Sequence, residues 1–397
     1  MIRLRIAHAA ILLFFLLRAA VFAQVIDERA LRIHREAIVV DAHADSLTRI
    51  IDAGDDLGAR TDHGDIDIPR LREGGVDCQF FSIFAAPIFR TYGFFKRSID
   101  LLDVYHNFVE RYSQALAPAR TIADVRLAVA QGKIATMLGV EGGQSIDNDL
   151  HILSIFSRLG VRYMSLTWSF SMDWAGSSGE AAGENLGLTA FGKNVVHEMN
   201  RLGIAVDVSH LSDKAFYDAL EASSKPIIAS HSSCRALAAH PRNLSDDMLR
   251  ALAARGGVVG INYYPCFLDD RFRKDFNALE EHLAPRIKQI RDSYRSRPAL
   301  GWAEQEIFLR QESKVLHRVS IGRLADHIEH AVKVAGVDHV GLGSDFDGTD
   351  AQIQGLEDCS KLPALTAELL HRGFSESDVK KILGENFLRV FQEIIGK

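Results

Sequence analysis

Cysteine is scarce in this sequence: four cysteines occur in 397 residues, and none belongs to a C-x-x-C pair. A zinc site built from thiolates is therefore not indicated, because such sites commonly take two ligands from one C-x-x-C segment. Cys234 and Cys266 flank one strand–helix unit, and two interpretations stay open for them. Either they form a disulfide, which an exported protein permits, or they are buried free thiols.

The chain also has no basic tract and no stripe of basic and aromatic residues, and its net charge is −6. A nucleic-acid partner is therefore not expected. Repeats, low-complexity tracts and linkers rich in Pro, Gly or Ser are absent after residue 24. Residues 24–397 are accordingly predicted to form a single domain, for which 47% apolar residues supply a large core.

The apolar run at the N-terminus, residues 9–17, is too short to cross a bilayer comfortably, and Arg18 interrupts it. A basic start, this run and the small residues before Gln24 together predict a signal peptide over residues 1–23. An uncleaved anchor is the alternative. The short, polar C-terminus does not match a lipid-anchor signal. We therefore expect an exported protein, periplasmic or secreted, with no stable membrane anchor.

The chain does contain a regular alternation of short β-branched, apolar runs with longer helical patterns. The runs that predict buried strands are residues 37–41, 78–84, 135–140, 163–166, 204–208, 227–230, 258–263 and 339–343. The clearest helical patterns are residues 190–201, 212–222, 245–254 and 321–335. This alternation predicts a parallel sheet with right-handed crossovers, and eight units predict closure into a (β/α)8 TIM-like barrel.

An open doubly wound sheet is the alternative fold. The segment 268–319 is long, charged and helical, and it is predicted to be an insertion before the last strand. Three roles are open to this insertion: covering a site, building a subunit contact, or forming an ordinary peripheral helix pair.

Polar side chains follow the predicted strands at their carboxyl ends, the face on which (β/α)8 barrels build their sites. Five of the eight strands contribute such residues. They are His43 and Asp45 after strand one, Glu141 after strand three, His210 after strand five, His231 after strand six, and Asp345 after strand eight. Each residue alone is a weak signal, but their convergence on one edge predicts a metal site.

Imidazole and carboxylate ligands suit zinc, with manganese or iron as alternatives. The number of ligands favours two ions about 3.5–4 Å apart. His43 and Asp45 lie two residues apart and so point to one side, where they would hold one ion. His210 and His231 would hold the other, and the two oxygens of Glu141 would bridge the pair. Strand four carries no lysine that could serve as a carbamylated bridge.

Asp345 is the candidate for the group that takes a proton from water and passes it to the leaving amine. Asp347 is expected to be structural, in a turn with Gly348. The D-x-D-G string of this segment also resembles a calcium loop, but Leu356 occupies the position where an EF-hand requires glutamate.

With these residues the sequence resembles the membrane (renal-type) dipeptidase family of metallopeptidases. The matching strings run through most of the predicted mature chain. They include Val40-Asp41-Ala42-His43-Ala44-Asp45, Asp67-Ile68-Pro69-Arg70-Leu71, Gly74-Gly75-Val76 with Gln79-Phe80, Gly139-Val140-Glu141-Gly142, Asp207-Val208-Ser209-His210, Ser230-His231-Ser232-Ser233, Arg242-Asn243-Leu244, Gly343-Ser344-Asp345-Phe346-Asp347-Gly348 and Gly384-Glu385-Asn386.

The resemblance implies a metal-dependent amidohydrolase type of barrel with two zinc ions (Zn2+). It places the five predicted ligands on the family's metal positions and Asp345 on its catalytic aspartate. It also implies that Arg242 binds the free carboxylate of the substrate, a task suited to a guanidinium fork. Family members cleave dipeptides, often with a D-residue at the C-terminal position, some open β-lactams, and homodimers are common.

One position departs from the family, which often has a histidine after strand four that binds substrate and the developing oxyanion. This chain has Trp168 there, and an indole offers only one N–H donor. Losing an oxyanion donor costs about 10²–10³ in rate. Tyr263, at the end of strand seven, is a candidate to line the pocket, with simple packing as the alternative.

The leading hypothesis is a zinc-dependent dipeptidase in which a hydroxide bridging the ions attacks the peptide carbonyl. The first alternative is another hydrolase of the amidohydrolase type, acting on a lactone, a phosphotriester or an N-acyl amino acid. Trp168 keeps this alternative open. The second is an exported barrel that binds a ligand without catalysis.

Overall fold

Parallel strands alternate with helices along the chain in a computed structural model that describes residues 26–396. The predicted signal peptide, residues 1–23, lies outside the described residues. The strands are β1 (Val40–Ala44), β2 (Cys78–Phe84), β3 (Leu116–Pro118), β4 (Ile134–Glu141), β5 (Val161–Ser165), β6 (Ala205–Asp207), β7 (Ile228–Ala229), β8 (Val258–Ile261) and β9 (Val340–Leu342).

Eight of these strands close into a barrel, as the sequence predicted. Parallel pairing runs β1–β2–β4–β5–β6–β7–β8–β9 and returns from β9 to β1. The ninth strand, β3, pairs only with the first three residues of β4 and lies outside the closed ring. It was not predicted, because three residues are too short to show an alternating pattern.

The first strand corrects one predicted boundary, since it spans Val40–Ala44 rather than residues 37–41. Asp41 does not end the strand, because its buried carboxylate accepts hydrogen bonds from the amide and hydroxyl of Ser344 and from Gln79. With these partners a carboxylate is tolerated inside the sheet. As a result His43 belongs to the strand itself.

Helices fill the connections between strands. They are α1 (Glu28–Glu36), α2 (Ile68–Glu73), α3 (Phe94–Arg111), α4 (Ile122–Ala130), α5 (Leu150–Leu159), α6 (Ala190–Leu202), α7 (Asp213–Ala222), α8 (Asp246–Ala254), α9 (Pro265–Leu268), α10 (Asp270–Ser293), α11 (Pro298–Glu312), α12 (Ile321–Ala335), α13 (Leu362–His371), α14 (Glu376–Lys380) and α15 (Asn386–Ile395). Thr189 caps the start of α6, where its side chain accepts a hydrogen bond from the Gly192 amide.

The last helix closes the amino-terminal end of the barrel. Phe387 and Phe391 of α15 are buried, and the Phe391 ring stacks on Phe80 of β2 with 4.8 Å between centroids. These residues join the apolar cluster formed by inward-facing strand residues. Because this end is filled with packed side chains, the carboxyl ends of the strands form the open mouth.

The segment predicted as an insertion is the helix pair α10 and α11, and it lies between β8 and β9. Helix α11 contributes side chains to the wall of a cavity at the barrel mouth. Of the roles left open, covering the site is therefore the one that the fold supports. Among the described residues no helix is long and apolar enough to span a bilayer.

All four cysteines are buried free thiols, which settles the two interpretations of Cys234 and Cys266. Burial raises the pKa of Cys234 to about 12 and raises the pKa of Cys266. Both thiols are therefore protonated and shielded at neutral pH, and such thiols react slowly.

We expect a thiol-specific chromogenic reagent to find almost no reactive thiol in the native protein. In denaturant without reductant it should titrate four thiols per chain, because none is oxidised in the fold. A count of two in denaturant would show that one pair is disulfide-bonded and would contradict the free-thiol assignment.

Candidate metal centre and substrate cavity

The barrel brings all six candidate metal and catalytic residues to its mouth, and each is buried. His43 lies in β1 and Asp45 directly follows that strand, while Glu141 is the last residue of β4. The other three occupy the loops after β6, β7 and β9, and they are His210, His231 and Asp345. Their carboxylate oxygens and imidazole nitrogens form three overlapping groups, each with its atoms within 4.8 Å of one another.

Glu141 stands between two pairs of ligand side chains. Its Oε2 atom lies 3.6 Å from Nε2 of His43, whose Nε2 is 3.5 Å from Oδ2 of Asp45. Its Oε1 atom lies 2.9 Å from Nε2 of His210 and 3.5 Å from Nε2 of His231. One carboxylate thus presents a separate oxygen to each pair, as a bridging ligand would.

The donor atoms of this cluster fit a cation. Nε2 of His43 and Oδ1 of Asp45 are buried and have no hydrogen-bond partner among the described residues. Burial lowers the pKa of His210 and of His231 well below the usual value, so both rings are neutral, the form that binds metals. Burial and the nearby charge of Asp45 together raise the pKa of Glu141 to about 7, although His43 acts in the opposite direction. Buried carboxylates that repel one another are stabilised when a cation lies between them.

A second set of side chains orients the imidazoles. The hydroxyl of Tyr163 lies 2.7 Å from Nδ1 of His43, and the hydroxyl of Ser230 lies 2.7 Å from Nδ1 of His231. Ser230 donates its own hydrogen to Asp207, so its oxygen is left to accept from His231. These bonds direct the Nε2 atoms toward the centre of the cluster. Tyr163, Ser230 and Asp207 were not predicted to serve the site, although two of them lie inside the matching family strings.

Backbone geometry around the site is strained. His210 and Asp345 have φ values of 73° and 63°, in the left-handed region that residues other than glycine rarely adopt. Such conformations cost about 1–3 kcal/mol each and persist where the surroundings enforce them. Here they turn the two side chains back over the mouth of the barrel.

Asp345 is placed beside the ligand cluster rather than within one pair. Asn262 donates a hydrogen bond of 2.9 Å to its Oδ2 atom, while Oδ1 lies 3.9 Å from Nε2 of His43. Gly348 keeps this side of the cluster open. A Cβ atom there would lie 2.3 Å from Oδ2 of Asp45 and 2.7 Å from Oδ1 of Asp345.

Asp347 has structural partners, in keeping with the turn expected there. Its carboxylate accepts hydrogen bonds from the Ser46 hydroxyl, the Asp65 amide and the Arg49 guanidinium. These bonds tie the loop after β9 to the segment after β1.

A cavity of about 300 Å³ opens directly over the cluster. Trp168 lines it and packs against Phe84, with 5.0 Å between ring centroids. Tyr263 is buried against Phe346 and is not among the residues that line the cavity, whereas its neighbour Tyr264 is. Both tyrosines lie in the loop after β8, where no strand alternation fixes which side chain faces the cavity.

Arg242 lies behind the ligands as a buried cation. It donates hydrogen bonds to the hydroxyl of Ser232 and the carbonyl oxygen of His231, while its Nε atom has no partner. No carboxylate of the described residues lies within 4.0 Å of its guanidinium. Burial lowers the pKa of Arg242 to about 10, which leaves it charged at neutral pH. A buried charge without a counter-ion favours an anionic group from a ligand.

Comparison with known proteins gives consistent results. A model of the membrane dipeptidase family, peptidase family M19, matches residues 27–395. The dipeptidase verJ of Clonostachys rogersoniana is 33% identical over 383 residues, a match covering 92% of this chain and 86% of that protein.

Two solved structures share the fold over nearly their whole length. The probable dipeptidase PvdM from Pseudomonas aeruginosa is 25% identical, with a TM-score of 0.80 over 94% of this chain and 99% of that one. A metallopeptidase from Rhodobacter sphaeroides, solved with a phosphinate mimic of the dipeptide L-Ala-D-Ala, is 26% identical. Its TM-score is 0.71 over 90% of this chain and 99% of that one.

Replacing Tyr163 by phenylalanine should weaken metal binding about 10- to 100-fold, because the hydroxyl that orients His43 is lost. Metal affinity is measured by competition with a chromogenic chelator. The matched control is Tyr105→Phe, which removes a buried hydroxyl that bonds to Thr136 instead of a site residue. Equal metal affinity in both variants would show that Tyr163 does not position the ligand.

Proposed function

The chain belongs to the membrane dipeptidase family of metallopeptidases, and we propose from this premise that it hydrolyses dipeptides with two zinc ions. The observation that carries the proposal is the position of Glu141, one oxygen of which faces His43 and the other His210. Two ligand pairs that share a carboxylate are the arrangement of dinuclear hydrolytic centres.

His43 and Asp45 would hold one ion, His210 and His231 the other, and Glu141 both. When bound, the ions supply Lewis acidity toward the scissile carbonyl and lower the pKa of water. The unpartnered Nε2 of His43 and Oδ1 of Asp45 support this assignment.

Asp345 would move the proton. Asn262 holds one of its oxygens and leaves Oδ1 on the side of the ligands. Burial raises the pKa of Asp345, which suits a group that must accept a proton and then release it to the leaving amine.

Arg242 would bind the C-terminal carboxylate of the substrate. It is a buried guanidinium with an unpartnered Nε, and it lies next to His231. A free carboxylate held this close to the centre would restrict substrates to dipeptides. The dipeptide mimic bound by the Rhodobacter sphaeroides relative supports this substrate class, and a D-residue at the C-terminal position belongs to the same proposal.

A second candidate reaction rests on Trp168. Its indole lines the cavity next to Phe84 and forms an apolar wall where family members often have a histidine. A different hydrolysable bond, in a lactone, a phosphotriester or an N-acyl amino acid, would need less help from a donor at this position.

We further propose that residues 1–23 are removed as a signal peptide. The domain 24–397 would then act in the periplasm or outside the cell, without a membrane anchor and as a homodimer.

Zinc-dependent release of amino acids from a panel of dipeptides, including L-X–D-Ala pairs, tests the main proposal. We expect turnover that a chelator abolishes and that added zinc restores. Two bound zinc ions with no turnover on any dipeptide would contradict the dipeptidase assignment and favour the second candidate reaction.

Arg242→Ala should raise the KM for dipeptides about 10- to 100-fold, because charge-assisted hydrogen bonds to the carboxylate are lost. Dipeptides amidated at the C-terminus serve as the reference, and their KM should change little. The ratio of the two KM values within one variant does not depend on the fraction that folds. Equal losses on both substrates would exclude the carboxylate-binding role.

A further inference from the structure

One wall of the cavity is formed by a single face of helix α11. The residues of this helix that line the cavity are Ala299, Trp302, Ala303, Glu306, Ile307 and Arg310. Their spacing of three and four places them on one side of the helix. The insertion therefore adds its own side chains to the space above the ligand cluster, in addition to those supplied by the barrel.

The cations that line this cavity already have anionic partners. Each arginine of the wall forms an ion pair with an aspartate. The pairs are Arg49 with Asp55 and Asp347, Arg97 with Asp52, and Arg310 with Asp65. These arginines are therefore held in place, and none of them forms an ion pair with Glu306 or Asp350.

Two other carboxyl groups of the wall are hydrogen-bonded only to neutral donors among the described residues. Glu306 accepts from the indole N–H of Trp302 at 2.6 Å, and Asp350 accepts from the hydroxyl of Tyr264 at 2.6 Å. Burial raises the pKa of Glu306 to about 8, a shift that the hydrogen bond from Trp302 and the charge of Arg310 only partly offset. A cation placed here would favour the ionised form of the carboxyl group.

Aromatic rings line the same cavity as these two acids. Trp302, Tyr264 and Phe267 line the same cavity, and the rings of Tyr264 and Phe267 lie 4.9 Å apart. The faces of aromatic rings attract cations, and aromatic residues combined with a carboxylate are a common surrounding for ammonium groups.

The acid of the wall and the buried arginine are associated with different ligand pairs. Glu306 lines the cavity together with Asp45 of one pair. Arg242 donates a hydrogen bond to the carbonyl oxygen of His231 in the other pair. A substrate that carries both charges could thus use the arginine for its carboxylate and the acid for its ammonium group.

From this arrangement we infer that Glu306, supported by Asp350, is a specificity-determining residue that binds a positively charged nitrogen of the substrate. The inference rests on the proposed dipeptidase function and deepens it by naming a substrate class. Cationic dipeptides are preferred over neutral dipeptides of the same shape. The nitrogen is either the α-ammonium group or the ammonium group of a basic side chain in the N-terminal residue.

Two matched substrate pairs distinguish these sources. Lysyl-alanine and norleucyl-alanine differ only in the side-chain ammonium group, while alanyl-alanine and propionyl-alanine differ only in the α-ammonium group. The measured quantity is the ratio of kcat/KM values within each pair, which cancels effects on folding and on metal content.

Glu306→Gln keeps the shape of the side chain and its acceptor for Trp302 but removes the charge. We expect it to reduce the preference for the charged member of one pair about 10- to 100-fold, the range for a hydrogen bond to a charged group. The matched control is Glu304→Gln, which makes the same change on the same helix outside this cavity. The control should leave both ratios unchanged.

Unchanged ratios in Glu306→Gln for both pairs, with dipeptide turnover intact, would overturn the inference and leave the proposed function standing. The subsite is also tested without turnover, through equilibrium binding of phosphinate analogues of both substrate pairs, measured by calorimetry. Tighter binding of the charged analogue of one pair, lost in Glu306→Gln, would support the subsite even if no dipeptide were cleaved. Equal binding within both pairs by the unmodified protein would count against it.

Discussion

Three carboxylates and three imidazoles share one buried space at the mouth of the barrel, with Glu141 at its centre. The carboxylates of Asp45, Glu141 and Asp345 repel one another there, and little water is available to screen them. The surrounding structure holds the group together through the outer hydrogen bonds to the imidazoles, the left-handed backbone at two loop positions and the glycine after Asp347. The left-handed backbone costs stability, and the arrangement as a whole is consistent with a cation that offsets the repulsion.

The barrel and the ligand cluster could be predicted because both depend on short-range sequence patterns. Strand ends follow from apolar runs, and parallel strands present those ends on one edge. His43 and Asp45 could thus be placed together from their spacing alone. Tyr163 could not, because its partner lies 120 residues away and no local pattern marks an inward-facing tyrosine as a ligand partner.

The cavity wall was less accessible to prediction. The boundaries of the insertion followed from its helical pattern, but which face of α11 meets the site depends on how two helices pack over the barrel. The presence of Tyr264 rather than Tyr263 in the cavity wall has the same origin, because both residues lie in the loop after β8, where no regular periodicity fixes the direction of a side chain. Sequence patterns located the elements, whereas tertiary packing decided which of their side chains meet the substrate space.

Helix α11 also separates the choice of substrate from the chemistry of the reaction, two properties that many enzymes encode in the same elements. The residues predicted to carry the chemistry lie on barrel strands and the short loops after them, where a change in one disturbs its neighbours around the ring. The opposing wall lies on one helix that is joined to the barrel through its own connections. Substitutions on that helix can accumulate without displacing a ligand, so descendants of this protein could acquire new substrates while keeping the same reaction.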